Sequence, residues 1–243
     1  MKTKAVCTAF FAVVISGSTQ ADVAGLVQDA AVYYSSNGNE LQITTFDDAE
    51  YAVIDIYVDF SAPNTSGNLN SESYLLNMFD GNVNTSGFDS FVQNDVTADG
   101  SWKPSFSFDL PAQGAFSEID SFVTINSAVG NDAPFNTTTL DPGFEEGLND
   151  DIFNQNIGWY QVPGTGDGGV MDDLRVWIAR FVVTGEEARN GATVQMTSKV
   201  GYDYQNESGA FYGQADGEFT FIPAPGALAL MGLGGIGIRR RRK

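Results

Sequence analysis

The chain has 243 residues, of which 31 are acidic and 12 basic, and its net charge is −19. It contains no histidine and one cysteine, Cys7, so catalytic groups of the Cys–His and Ser–His–Asp types are excluded. Because the chain has no histidine, it also lacks the commonest zinc ligand and the usual proton shuttle. An acidic chain repels polyanions, and we therefore expect no nucleic-acid partner.

The first 21 residues have the features of a secretory signal peptide. Two lysines precede the apolar segment Ala5–Ile15, and small and polar residues follow as far as Ala21. The pattern predicts export through the Sec translocon and cleavage by signal peptidase between Ala21 and Asp22. Because Cys7 lies inside the apolar segment, the processed chain would contain no cysteine.

Residues 22–222 are long enough for one domain with a sizeable core. All 31 acidic residues lie in this body together with five basic ones, which gives it a net charge of −26. Within Ala52–Phe60, apolar residues alternate with Asp55, Tyr57 and Asp59, as expected for a half-buried strand. The segment Leu174–Val183 is apolar on both faces apart from two arginines, which indicates a central strand.

Weaker strand patterns recur along the body, and helix signals are almost absent. Clusters at Asn37-Gly38-Asn39 and Asp80-Gly81-Asn82 are typical of turns. Many short strands without intervening helices predict an all-β fold, a single β-sandwich of jelly-roll or immunoglobulin-like type with long acidic loops. The weaker strand candidates are Ala31–Tyr34, Leu41–Phe46, Tyr74–Phe79, Phe88–Gln93, Ser105–Leu110, Ile119–Ile125, Ala192–Ser198 and Glu218–Ile222.

Two long loops are predicted, at Ala128–Asn156 and Val162–Gly169. The first carries five carboxylates that would repel one another, and a Ca²⁺ ion would relieve this repulsion. A solvated acidic loop is the alternative. The residues of this candidate calcium site are Asp141, Glu145, Glu146, Asp150 and Asp151, and Asp167, Asp172 and Asp173 form a second candidate. The segment that starts at Asp80 begins like an EF-hand loop but lacks its glycine and its closing glutamate, which favours a turn.

Aromatic side chains beside predicted loops are candidates for stacking on sugar rings. Trp102 precedes Pro104, and Trp159 and Tyr160 border the glycine-rich loop, so these three are the preferred candidates. Trp177 lies in the apolar strand segment and is expected in the core. The wider set of candidates comprises Tyr33, Tyr34, Tyr57, Tyr202, Tyr204 and Tyr212.

The last 21 residues, 223–243, consist of a Pro-Ala-Pro-Gly segment, an apolar run and a cationic end. The run Gly226–Ile238 would reach about 20 Å as a helix, which is short for a bilayer core of about 30 Å. Cationic residues resist translocation and would stay on the cytoplasmic side. The residues that define this segment are Pro223, Ala224, Pro225, Gly226, Arg239, Arg240, Arg241 and Arg242, followed by Lys243.

This order of features resembles a PEP-CTERM carboxy-terminal sorting signal, the type that exosortases process. The family usually has glutamate between the two prolines, where this chain has Ala224. The resemblance implies a transient inner-membrane tether, removal of the tail by an exosortase-like enzyme, and a final place at the cell surface or outside the cell. An uncut transmembrane anchor is the alternative interpretation of the same segment.

Proteins with this tail often occur with exopolysaccharide systems. The resemblance therefore implies a non-enzymatic surface or extracellular-matrix protein associated with exopolysaccharide. One alternative is a carbohydrate-binding module, and another is a glycan-cleaving enzyme that uses carboxylates. A close carboxylate pair in a cleft beside aromatic rings would favour the enzyme, whereas a flat aromatic face would favour binding.

Overall fold

A computed structural model describes residues 23–38, 40–61, 74–93, 102, 119–125, 138–140, 157–161, 174–203 and 210–222. Among these residues the fold is all-β, as predicted, with one short helix. In chain order the elements are β1 (Gly25–Gln28), β2 (Val32–Asn37), β3 (Glu40–Ile43), β4 (Tyr51–Asp59), β5 (Tyr74–Ser86), β6 (Phe122–Val123), β7 (Thr138–Leu140), β8 (Ile157–Gln161), β9 (Arg175–Thr184), α1 (Gly185–Arg189), β10 (Thr193–Asp203) and β11 (Ala210–Thr220).

The strands form two antiparallel sheets. The first has the order β3-β2-β4-β9-β6, and β1 pairs with β4 beyond the end of β2. The second has the order β11-β10-β5-β8-β7. Both sheets contribute buried apolar residues to one core, and Phe60 after β4 meets Tyr202 of β10 with ring centroids 5.5 Å apart. The predicted sandwich is therefore confirmed in its class.

The two clearest strand predictions are confirmed. In β4 the residues Ile54, Ile56 and Val58 are buried between the sheets, because alternate side chains of a strand point to one face. Strand β9 is buried on both faces and pairs with β4 on one side and β6 on the other, so it is a central strand.

Three local predictions are wrong. The cluster Asp80-Gly81-Asn82 does not end a strand but lies inside β5, where a β-bulge absorbs it. The segment Phe88–Gln93 forms no strand, although the Val92 amide donates to the Val182 carbonyl and Phe91 is buried. Strand β7 lies within the stretch expected to be an uninterrupted loop. The candidate strand Ser105–Leu110 lies outside the described residues.

Helix α1 follows β9 directly and has only five residues. Thr184 is its N-cap: its hydroxyl accepts from the Glu187 amide, and the Glu187 carboxylate accepts from the Thr184 amide. This reciprocal capping box satisfies amides that a helix start leaves unpaired. The first helical residue, Gly185, lacks a side chain, and an added Cβ there would lie 1.9 Å from the Ala49 carbonyl oxygen.

Candidate functional site

Two of the three aromatic residues predicted to lie at the surface are buried. Trp159 is 1% exposed and points from β8 into the core, where its indole N–H donates to the Thr124 carbonyl at 3.0 Å. Trp102 is 2% exposed and meets Phe91 edge to face at 5.6 Å. The surface prediction is wrong for both tryptophans, and a sugar cannot stack on rings that are enclosed on both faces. Trp177 is buried, as expected.

Tyr160 is the candidate that remains at the surface. It follows Trp159 on β8, so it points away from the core, and it is 37% exposed. Its place on the outer surface of the second sheet is shared by Tyr212 of β11, which is 56% exposed. In β11 the exposed residues alternate with residues turned toward the core, which fixes Tyr212 on the outer side.

A row of paired residues crosses the second sheet between these two tyrosines. Tyr212 is opposite Gly201, Gly201 is opposite Asn77, and Asn77 is opposite Tyr160. Adjacent strands lie about 4.8 Å apart, so three steps place the two tyrosines about 14 Å apart along the row. We call the outer surface formed by Tyr160, Asn77, Phe79, Lys199 and Tyr212 the aromatic face.

Phe79 lies one step along β5 from this row and completes the aromatic face. Its ring meets that of Tyr212 edge to face, with centroids 5.8 Å apart and planes at 85°. The ammonium group of Lys199 lies 5.8 Å from the centroid of the Phe79 ring. The same group forms an ion pair with Asp80 at 2.5 Å. Lys199 therefore connects the ring to a carboxylate at the edge of the face.

Gly201, at the centre of the face, has no side chain, and its neighbours occupy the space above it. A Cβ at this position would lie 2.0 Å from Asn77 Oδ1 and 3.5 Å from Tyr212 Cε1, so both side chains lie over the glycine. Asn77 Oδ1 is buried and accepts no hydrogen bond from the residues that the structure describes. The arrangement presents an amide between two phenol rings, a combination that can hydrogen-bond and stack at once.

The bulge in β5 positions the polar edge of the aromatic face. Between the pairs Thr197–Asn82 and Lys199–Phe79, strand β5 has one more residue than β10. Asp80 takes a left-handed φ of 48°, which an aspartate tolerates better than most residues do. The next residue must be glycine, because a Cβ on Gly81 would lie 2.9 Å from the Ile157 side chain. The bulge thereby brings Asp80 to the ammonium group of Lys199.

The outer surface of the first sheet also carries charged and aromatic residues, but they are bound to one another. Arg180 donates two hydrogen bonds of 2.8 Å to Asp55, one to each carboxylate oxygen. Its guanidinium lies 5.3 Å from the Trp177 ring and 5.7 Å from the Phe122 ring. Both oxygens of Asp55 are therefore engaged, which does not suit a general acid or base.

Tyr57 lies beside this ion pair. Burial raises the pKa of its phenol well above the usual value of 10, and the carboxylates of Asp55 and Asp29 raise it further, while Arg180 lowers it. Interaction of the Tyr57 hydroxyl with the Asp29 carboxylate also raises this pKa. Such a phenol keeps its proton at ordinary pH and is unsuited to act as a base.

The predicted calcium ligands Asp141, Glu145, Glu146, Asp150 and Asp151 lie outside the described residues, as do Asp167, Asp172 and Asp173. Within the described ranges, no group of three or more acidic or cysteine side chains is placed to hold a metal ion.

The signal-cleavage residues Ala21 and Asp22, and the tail residues from Pro223 to Arg242, also lie outside the described ranges. The described part of the chain contains no helix long and apolar enough to cross a bilayer.

Sequence reasoning missed Phe79 and Asn77 and ranked Tyr212 below the tryptophans. The signal that could have found Tyr212 is the alternation of apolar or small residues with polar ones along residues 211–220. Phe79 gives no such signal, because the bulge that follows it interrupts the alternation.

No known protein family matches the chain, and neither a curated protein nor a solved structure is significantly similar to it.

Proposed function

We propose that this chain is an exported, non-enzymatic protein that binds polysaccharide outside the cell through the aromatic face. The observation that carries the proposal is the exposure of Tyr212 and Tyr160 on a sheet surface that also presents Phe79 and Asn77. Outward positions of a strand are normally polar, so three aromatic rings on one outer face need another explanation.

Sugar rings and this face are complementary in chemistry. A sugar presents apolar C–H groups on the faces of its ring and hydroxyl groups around its edge. Tyr212, Phe79 and Tyr160 offer apolar ring surface, and the exposed amide of Gln214 offers a donor and an acceptor. The spacing of about 14 Å between the tyrosines suits an extended chain of several sugars better than a single one.

Covering one ring face would remove roughly 60 Å² of apolar surface, a third of what an aromatic side chain buries in full. At about 25 cal/mol per Å² this is worth about 1.5 kcal/mol, or about a tenfold change in affinity. Individual sites on such a face are weak, and a polymer that contacts several rings at once binds more tightly.

The proposal is tested by electrophoresis of the purified chain through native gels that contain dissolved polysaccharides. We expect retardation in at least one polysaccharide, and about tenfold weaker binding for Tyr212→Ala and for Tyr160→Ala. Gln42→Ala is the matched control, since Gln42 is an exposed amide on β3, in the other sheet. Equal mobility of the wild type in every gel, or equal retardation of all variants, would contradict the proposal.

Export and sorting are the second part of the proposal, and they rest on the two ends of the sequence. The intact mass of the protein recovered from its own cells gives the test. We expect a chain that begins at Asp22 and ends near Pro225. A mass that includes residues 226–243 would favour the uncut anchor, and a mass that includes residues 1–21 would contradict export.

A further inference from the structure

We infer that the aromatic face takes an uncharged glycan and rejects polyanionic ones. This inference rests on the proposed function and narrows it to a class of ligand. Polysaccharides outside cells fall into neutral chains and chains with carboxylate or sulfate groups. The two classes differ in what they require of a binding surface, because a polyanion needs free cations and a neutral chain does not.

Lys199 is the one cation that the described strands place on this face. Its ammonium group is paired with Asp80 at 2.5 Å and lies 5.8 Å from the Phe79 ring centroid. Both partners of the ion pair are about half exposed, so the pair is weak, and a polyanion could in principle compete for the lysine. The balance of charge around it therefore decides the outcome.

That balance is negative. Two further carboxylates, Asp216 and Glu218, are exposed on the outer side of β11, on the same face as Tyr212. Together with Asp80 they give the face three carboxylates against one ammonium group. The whole chain adds to this repulsion with its net charge of −19. A chain of carboxylated or sulfated sugars would therefore approach against the field, and a neutral chain would not.

Stacking and amide hydrogen bonds need no charge on the ligand. Tyr212, Phe79 and Tyr160 can contact the C–H faces of a neutral sugar as well as those of a charged one, and the exposed Gln214 amide can bond hydroxyl groups. Asp80, Asp216 and Glu218 therefore discriminate mainly by excluding the wrong class of ligand, which is a common way to obtain specificity.

The experiment compares polysaccharides that share a backbone but differ in charge. The pairs are hydroxyethyl cellulose with carboxymethyl cellulose, and dextran with dextran sulfate, each dissolved in native gels at low salt. We expect at least fivefold stronger retardation by the neutral member of the pair that binds. The difference should shrink as salt is raised, because salt screens the repulsion.

Charge variants test the cause. Asp216→Lys/Glu218→Lys should raise binding of the anionic member at least threefold and leave the neutral member within twofold. The control Asp47→Lys/Glu186→Lys changes the net charge equally, at exposed positions before β4 and in α1. It should have a smaller effect than the double variant in β11.

The outcomes separate the inference from the proposed function. Stronger retardation by the anionic member, abolished by Lys199→Ala, would overturn the inference and leave polysaccharide binding intact. An equal effect of the two double charge variants would overturn the role assigned to Asp216 and Glu218. Two results would count against the proposed function itself. One is no retardation by any of the four polymers, and the other is equal retardation of the wild type and Tyr212→Ala by the neutral member.

Discussion

Arg180 and Asp55 lie opposite each other on β9 and β4 and are joined by two parallel hydrogen bonds of 2.8 Å. The side chains are about one-fifth exposed, so the ion pair is shielded from much of the solvent. Two rings, Trp177 and Phe122, flank the guanidinium and hold it in place. The pair therefore fixes β4 against β9 on the outer side of the first sheet.

Removing one partner of this pair should destabilise the protein. We expect Arg180→Met to lower the free energy of unfolding by about 2 kcal/mol, because Asp55 keeps its charge and loses both donors. Arg180→Met/Asp55→Asn should recover about half of that loss. Urea unfolding of the wild type, Arg180→Met, Asp55→Asn and the double variant measures these effects. A double variant less stable by the sum of the single losses would contradict a direct interaction.

Gly185 is a position where a single methyl group should be costly. A Cβ would lie 1.9 Å from the Ala49 carbonyl oxygen, which is backbone and cannot rotate away. We expect Gly185→Ala to cost about 3 kcal/mol and to lower Tm by roughly 6–12 °C. Gly191→Ala is the control, since nothing lies within 4 Å and only its φ of +88° adds strain. Equal losses in the two variants would refute the steric argument.

Stability should fall at alkaline pH because of two partly buried phenols, those of Tyr33 and Tyr57. Burial raises the pKa of Tyr33 to about 12, and its hydroxyl donates to the Phe221 carbonyl at 2.9 Å. Burial, Asp55 and Asp29 raise the pKa of Tyr57 in the same direction. The folded state thus holds these protons more tightly than the unfolded chain, whose tyrosines titrate near pH 10. Their contribution is complete below about pH 10 and is lost as the pH rises toward 12.

The measurement is the urea midpoint between pH 8 and 11.5. We expect a constant midpoint up to about pH 10 and a decline above it for the wild type. Tyr33→Phe/Tyr57→Phe should start from a lower midpoint and decline less steeply. An identical decline in the two proteins would show that other groups cause it.

Calcium binding by the predicted loop site remains a prediction. If Asp141, Glu145, Glu146, Asp150 and Asp151 hold one ion, free Ca²⁺ at 100 times its Kd stabilises the chain by about 2.7 kcal/mol. That corresponds to a rise in Tm of roughly 5–10 °C for a domain of this size. The rise should disappear with chelator and in Asp150→Asn/Asp151→Asn, but persist in the control Asp47→Asn/Asp48→Asn. An unchanged Tm between excess calcium and chelator would rule the site out.

The sequence was informative where one pattern dominated. Strand β4 alternates cleanly and β9 is almost continuously apolar, so hydrophobic periodicity identified both and their burial. Helix α1 has five residues, too few to show a helical period. Its Thr184–Glu187 capping box was visible, yet such a box is informative only before an apolar helical run.

The site was harder to predict because it depends on which face each residue takes. Trp159 and Tyr160 are adjacent aromatic residues, so one must point inward and the other outward, and a shift of one residue reverses the assignment. Burial selected the larger indole for the core. Phe79 and Tyr212 meet only because β5 and β11 flank β10, and that strand order has no local signature in the sequence.

The most direct test of the central claim is hydroxyl-radical footprinting of the chain with saturating hydroxyethyl cellulose and, as the second neutral polymer, dextran. The oxidation rates of Tyr212 and Tyr160 are compared with that of Ile43, a 77% exposed residue on the first sheet. The account predicts that the bound polymer slows oxidation of both tyrosines several-fold and leaves Ile43 unchanged. Unchanged rates at both tyrosines, or protection of Ile43 alone, would contradict a polysaccharide site on the aromatic face.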